Sequence, residues 1–309
     1  MRNAVSLWRK ERPMRRILML KDSMFAAKPM RLGSMGSLTR KDCRVCFSSL
    51  HGDGRVSMVQ GASRGIGLEF VKQLLEKNEK ERVIATCRNP SASVGLNDLK
   101  HKFAERLDIL SLDLTVESTI EDSAKAIRSK YGLLNRLINA SGILSIPDVI
   151  HPETSLQKVE KSSLMLAYEV NAIGPILVMK HMWPLMKAGG GHETNNDVAV
   201  IANLSARVGS IGDNNLGGWH SYRASKTALN QLSKTASVEF GRKKNQVICI
   251  LLHPGTVDTD LSKPFQKNVP QGKLFSKEFS VNKLLHIIDN AQASDNGKFF
   301  AWDGQQIPW

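Results

Sequence analysis

From Arg55 onward the chain alternates between two hydrophobic rhythms. Short apolar, β-branched runs read as strands at Val56 to Val59, Arg82 to Thr86, Leu107 to Leu112, Arg136 to Asn139, Asp197 to Ala202 and Val247 to His253. Between the first two, Ile66, Phe70, Val71, Leu74 and Leu75 fall at helical spacing, which predicts a helix over Ile66 to Leu75. Further helical segments are expected at Asn97 to Phe103, Val116 to Lys130, Ser155 to Met186, Ser221 to Phe240 and Val281 to Asn290. Strands apolar on both faces and separated by helices imply an α/β fold, a single doubly wound parallel sheet with helices on both faces. The stretch Thr256 to Lys277, rich in Lys, Pro and Gln, is the longest irregular segment, and a loop of that length in a compact domain is usually functional.

The first 52 residues follow neither rhythm. They hold twelve Lys and Arg against Glu11, Asp22 and Asp42, so +9 of the chain's +14 sits there. The whole charge, with a pI near 9.7, invites a nucleic-acid reading, but its division argues for a basic leader, 1–52, ahead of a domain, 53–309. An Arg-rich, acid-poor leader reads as a mitochondrial or chloroplast targeting segment, with Arg44 to Ser49 as its processing region. The alternative is a basic tail without an address on a cytoplasmic protein. No secretory signal pattern is present, and four cysteines are too few for a disulfide scaffold. Cys43 and Cys46 form a C-x-x-C without the second pair that a zinc site requires. Apolar runs of about six residues, against the roughly 20 of a spanning helix, predict no membrane insertion.

Gly61-Ala62-Ser63-Arg64-Gly65-Ile66-Gly67 falls between the first strand and the first helix. There a dinucleotide pyrophosphate meets backbone N–H groups at a helix N-terminus, as in Rossmann-type sheets. An NAD site wants an acid at the end of the second strand to bind the ribose 2′-OH. Cys87 and Arg88 stand there instead. Arg88 with Arg64 suits a 2′-phosphate, which a guanidinium grips bidentately, so NADP(H) is preferred and NAD(H) is the lesser alternative.

Tyr222-Arg223-Ala224-Ser225-Lys226 opens a predicted helix and puts the phenol and the ammonium on one face. This pairing suits proton transfer to a carbonyl oxygen during hydride transfer. A free phenol titrates near 10, too high for neutral pH. An ammonium roughly 5 Å away in a dielectric near 20 contributes on the order of 3 kcal/mol, about two pK units in favour of the phenolate.

The motifs follow one another in order: Gly61 to Gly67; Asp113; Asn139-Ala140-Ser141-Gly142; Asn171; Ser205; Tyr222 with Lys226; and Pro254-Gly255-Thr256-Val257-Asp258-Thr259. Together they resemble the classical short-chain dehydrogenase/reductase family over residues 55–309. The ending, Gly297 to Gly304 and Ile307-Pro308-Trp309, is similar to the C-factor and sniffer-type carbonyl reductase branch. The resemblance implies a catalytic tetrad. In it Tyr222 is the acid/base, Lys226 lowers its pKa and binds the nicotinamide ribose, Ser205 bonds the substrate carbonyl, and Asn171 holds a water relay. It also implies that Asp113 and Leu114 face adenine, that Asn139 stabilises the central strand near the cofactor, and that Val257 and Thr259 meet the carboxamide. Ser63, Gly65, Ile66, Ala140, Ser141, Gly142, Pro254 and Gly255 complete the implied cofactor contacts.

Three features depart from the pattern. Gln60 stands where the family usually has Thr, which is expected to weaken a backbone tie. The NNAG-type motif reads Asn139-Ala140-Ser141-Gly142, so its second Asn is missing and its third position is a hydroxyl. Sixteen residues, glycine-rich and including Trp219, separate Ser205 from Tyr222, and this extra loop is expected to border the substrate pocket. The sequons at Asn139 and Asn203 lie inside functional motifs and are discounted. Eight histidines form no metal motif; His253 and Cys249, in one apolar strand, read as structural, and Cys87 sits at the cofactor edge.

The expected activity is NADP(H)-dependent reduction of an aldehyde or ketone to an alcohol. The alternative is a dinucleotide-sensing or signalling protein with little turnover. The expected partner is a small carbonyl or alcohol substrate, not nucleic acid. Helices of this fold often pack between subunits, which allows a homodimer or homotetramer.

Overall fold

A computed structural model describes residues 54–189, 198–242 and 247–309 of the protein. The basic leader, with its processing region and Cys43 and Cys46, lies outside the described residues, as does Asp197.

Chain order is strand, helix, strand throughout the first half: β1 (Val56–Gln60), α1 (Gly65–Lys77), β2 (Arg82–Cys87), α2 (Val94–Lys102), β3 (Leu107–Ser111), α3 (Glu117–Lys130) and β4 (Arg136–Asn139). After α4 (Lys161–Tyr168) and α5 (Gly174–Gly189) come β5 (Ala199–Leu204), α6 (His220–Gly241), β6 (Val247–His253), the short β7 (Thr256–Val257) and β8 (Leu274–Phe275), α7 (Lys277–Asp289) and β9 (Phe299–Ala301). Seven strands form one parallel sheet in the order β3-β2-β1-β4-β5-β6-β9. The order reverses between β1 and β4, and a crevice at the carboxyl ends of such strands is where this architecture binds ligands.

Successive strand residues point to opposite faces, so each central strand feeds two cores. Met58, Leu137, Ile201 and Cys249 pack on one side with α3, α5 and α6, and their neighbours Val59, Ile138, Ala202 and Ile250 pack on the other with α1 and α7. At the amino ends of the strands, buried Arg136 reaches Glu81 at 3.2 Å and also bonds Asp289, tying β4 to the entry of β2 and the end of α7.

The expected helix from Ser155 to Met186 is broken. A 3₁₀ turn (Leu156–Lys158) precedes α4, and a π-helical turn (Glu169–Ile173) separates α4 from α5. The widened turn sits where the Asn171 side chain bonds backbone outside the helix, and π turns of this kind frequently mark functional sites. The run Lys161–Met186 contains an 18-residue window of mean hydropathy 1.4 and is long and apolar enough to cross a membrane by length and composition, contrary to the short-run expectation. Its inner face is core, with Met179, Met182, Leu185 and Met186 buried. Helix α7 starts earlier than its apolar spacing predicts, because Ser276 Oγ accepts the Phe279 N–H at 3.1 Å and caps it. Three residues are too few for periodicity to announce β9, which pairs with the end of β6.

Candidate active site

The glycine turn leaves β1 with Gly61 at φ +82° and enters α1 through Gly65 at φ +57°. Its Gly61 and Ala62 N–H groups both donate to Thr86 O at 3.0 Å, which ties the turn to β2. Gly67 lets the helix approach the strand: a Cβ there would lie 2.1 Å from Gly61 O. The N-cap of α1, Arg64, makes no capping side-chain bond, and the first turn holds no acid, so the positive helix end is uncompensated. Arg64 and Arg88 are exposed, as is Ser111, whose Oγ donates to Arg88 O. The loop after β6 closes over the turn, with Thr259 Cγ2 3.6 Å from where a Gly65 Cβ would stand. An uncapped helix end flanked by the exposed Arg64, whose charge also acts on Asp260, and the exposed Arg88 fits a phosphorylated dinucleotide. Ser63, Arg64, Gly65 and Ile66 would hold its phosphates.

Gln60 ties the start of the turn to the end of β4. Its Nε2 donates to Ser141 Oγ at 2.8 Å, and its Oε1 faces the Ser141 N–H at 3.4 Å. The two departures from the family pattern are therefore partners. Ala140 N–H donates to Gln60 O at 2.9 Å in the same join between β1 and β4.

Asp113 follows β3, but its Oδ1 accepts from the Thr115 N–H and hydroxyl at 2.9 and 2.8 Å, as in an Asx turn. Leu114 is buried in the core against Gly174, so its side chain does not face a ligand; only its backbone is left for adenine. Asn139 is also buried, and its Nδ2 donates to Asn203 Oδ1 at 2.7 Å, joining the central strands β4 and β5. Gly142 lies between Lys226 and Asn171: a Cβ on it would be 3.4 Å from Lys226 Nζ and 3.5 Å from Asn171 Oδ1. Pro254 O accepts from Ser280 Oγ, and Gly255, at φ +80°, is packed under Phe275 and Trp302. Val257 is buried, with its carbonyl bonded by Ser262 Oγ at 2.6 Å.

Helix α6 presents Tyr222, Lys226 and Asn230 one turn apart, and all three are buried. Ser205, just past β5, donates from Oγ to Asn230 Oδ1 at 2.6 Å, and Asn230 Nδ2 donates to Gly209 O at 3.2 Å. Lys226 Nζ donates to Leu204 O at 2.9 Å. Asn171 Nδ2 donates to Ile143 O and to Ser225 Oγ, and its Oδ1 accepts the Ile143 N–H at 2.8 Å. Its side chain thus pins the segment after β4 to α6 beside Lys226. Asn230 and Ser225 were not anticipated from the sequence, although Asn230 extends the 222, 226 series by another four residues.

The electrostatics differ from the expected pairing. Burial pushes the Tyr222 phenol up, and burial pushes Lys226 down to about 8. The ammonium nitrogen bonds the Leu204 carbonyl and stands 5.9 Å from the Tyr222 ring centroid. Desolvation sets both shifts, so at neutral pH the phenol keeps its proton and suits donation. His253 is held down to about 4 and Cys249 pushed up to about 12, in each case chiefly by burial, which fits structural roles for both. Burial likewise raises Cys87, which keeps that thiol protonated at the crevice edge.

Trp219 adjoins this group, its ring 6.3 Å from Tyr222 edge-on and 4.9 Å from Phe265 of the loop after β6. The extra loop and the post-β6 loop therefore meet beside the tyrosine.

The model of the short chain dehydrogenases matches residues 55–270. The chain belongs to the short-chain dehydrogenase family. This short-chain dehydrogenase is 30% identical over 269 residues to an uncharacterized oxidoreductase of Schizosaccharomyces pombe, covering 83% of this chain and 98% of that one. It is similar to NADPH-bound carbonyl reductase from chicken fatty liver, with 30% identity, a TM-score of 0.72 and coverage of 82% of this chain and 98% of that one. Carbonyl reductase Sniffer of D. melanogaster is 28% identical with a TM-score of 0.73, covering 82% and 99% of the two chains. The parallel sheet and the sniffer-type resemblance expected of this short-chain dehydrogenase are thus both found.

Proposed function

We propose that this protein is an NADP(H)-dependent reductase of aldehydes or ketones. The observation that carries the reading is the convergence of Ser205, Tyr222 and Lys226. Lys226 is anchored to the carbonyl of Leu204, the residue before Ser205, and stands on the helical face that carries Tyr222. The NADPH bound to the chicken carbonyl reductase supports the cofactor, as do Arg64 and Arg88 in place of an acid.

Ser63, Arg64, Gly65 and Ile66 would hold NADPH at the glycine turn, and the chemistry it would supply there is a hydride for the substrate carbonyl carbon. Tyr222, protonated at neutral pH, donates its O–H proton to the nascent alkoxide oxygen. Ser205 has one proton and gives it to Asn230, so a substrate carbonyl takes that bond over while Asn230 stays tethered to Gly209 O. Lys226, titrating near 8, carries a charge through most of the neutral range and stabilises the phenolate that proton transfer leaves. Trp219 and Phe265 supply apolar surface that excludes water beside the reacting oxygen.

The test is Tyr222→Phe in the full chain, assayed with NADPH and a panel of aldehydes and ketones. Turnover is expected to vanish with NADPH affinity held within a few-fold; undiminished turnover overturns the reading. A small-molecule carbonyl substrate, without nucleic acid, belongs to the same proposal. Delivery of the enzyme to a mitochondrion or chloroplast by residues 1–52 is a separate proposal, tested by the location of a fluorescent fusion with and without them.

A further inference from the structure

Helix α6 carries the candidate acid/base in its first turn, yet its own sequence does nothing to close that end. Its N-cap, Trp219, is a non-glycine residue at φ +53° with no capping side-chain bond, and no acid lies in the first turn. Left-handed backbone at a bulky residue persists only where surroundings enforce it.

The enforcing group is Glu153, from the segment between β4 and α4. It is buried, with 4% of its surface exposed. Its Oε2 accepts the Ser221 N–H at 3.1 Å, and its Oε1 accepts from Ser221 Oγ. Its backbone carbonyl accepts the Trp219 N–H at 2.6 Å. Three donors on Trp219 and Ser221, within the three residues before Tyr222, thus converge on one residue more than 60 positions earlier in the chain. Arg223, on the other side of Tyr222, spreads its guanidinium over the carbonyls of Val208, Gly217 and Gly218 at 3.0–3.2 Å and holds both ends of the extra loop.

We propose that Glu153 is a positioning residue for Tyr222, a carboxylate cap supplied from outside the helix that sets the direction of its first turn. A carboxylate is the right group there. It makes charge-assisted bonds to N–H and O–H donors, and its negative charge complements the positive helix end. The consequence for reaction is geometric: a displacement of about 1 Å in a reacting group can cost on the order of 100-fold in rate. Glu153 touches neither substrate nor cofactor on this account and acts only through Ser221 and Trp219. The inference rests on the reading of Tyr222 as the acid/base.

The experiment compares full-length Glu153→Ala, Glu153→Gln, Ser221→Ala and Tyr222→Phe with the wild type. NADPH affinity is read by fluorescence titration, and kcat is measured per NADPH-binding site on a carbonyl that the wild type reduces. Glu153→Ala is expected to lower kcat on the order of 30-fold with NADPH affinity unchanged within two-fold. Glu153→Gln, which still accepts the Ser221 N–H, is expected to recover most of that loss. Wild-type kcat per site in Glu153→Ala overturns the proposal, and so does a loss of NADPH binding in step with activity, the mark of a merely structural role. If Glu153→Ala does not fold, Ser221→Ala decides: a several-fold lower kcat at unchanged NADPH affinity supports it, and wild-type kcat overturns it. Tyr222→Phe separates the two readings. Full activity in that variant defeats the acid/base assignment itself, whereas an inactive Tyr222→Phe beside a wild-type-like Glu153→Ala defeats only the role of Glu153.

Discussion

Gln60 Nε2 donates to Ser141 Oγ at 2.8 Å and so bridges the carboxyl ends of β1 and β4, where the strand order reverses. A Cβ on neighbouring Gly61 would stand 2.3 Å from that same Oγ, so the glycine turn and the β4 end have one mutual fit. Gln60→Ala leaves the Ser141 hydroxyl without this donor and opens a hole behind the turn. A stability loss of about 1–2 kcal/mol is expected from denaturant unfolding, with NADPH affinity lowered several-fold in fluorescence titration. An unaltered affinity would mean that backbone bonds to Thr86 hold the turn unaided.

On the proposed NADP(H) reading, the exposed Arg64 and Arg88 grip the 2′-phosphate. Replacing either by Ala is expected to raise Kd for NADPH roughly 10-fold, about 1.4 kcal/mol, for a lost charge-assisted contact. NADH, without that phosphate, is expected to bind within two-fold of wild type. Parallel titrations with both cofactors check this, and equal losses for the two would place the arginines elsewhere on the dinucleotide.

Arg136 is buried between Glu81 and Asp289, far from the crevice at the other ends of the strands. Burial raises the Glu81 carboxyl even though Arg136 and Ser57 pull it down. Arg136→Met removes the strongest cationic partner of that carboxylate, leaving Arg55 as the next charge acting on it, and is expected to cost about 3–5 kcal/mol in urea unfolding. The deficit is expected to shrink as pH falls and Glu81 takes a proton, and Glu81→Gln in the same chain should restore part of it.

His253 gives the fold a pH dependence of definite sign. Its folded pKa, about 4, lies below the ordinary 6.5. The unfolded chain therefore binds the proton first, and stability present above pH 6.5 declines as pH falls towards 4. Thermal melts across that window are expected to show a steeper fall for wild type than for His253→Gln, which cannot titrate. Parallel pH curves would leave the acid loss to other groups.

Much of the molecule was legible in the sequence because it depends on local chemistry. Apolar runs located six sheet strands, and His253 ends β6 where the pattern placed it. The glycine turn, the Tyr222/Lys226 pair and the residue after each strand were readable because the spacing alone puts them at helix ends, on one helical face or at strand ends. What required the tertiary structure were the relations between distant segments. Asn230 holds Ser205 from another element, Asn171 breaks its helix to reach Ile143, and Glu153 caps α6 from 68 residues away. Gln60 and Ser141 read as two separate departures from the family pattern, and the parallel pairing of β1 with β4 brings them together. The titration of Tyr222 and Lys226 was also out of reach, since spacing sets their separation but burial sets their solvation, and here desolvation sets both shifts.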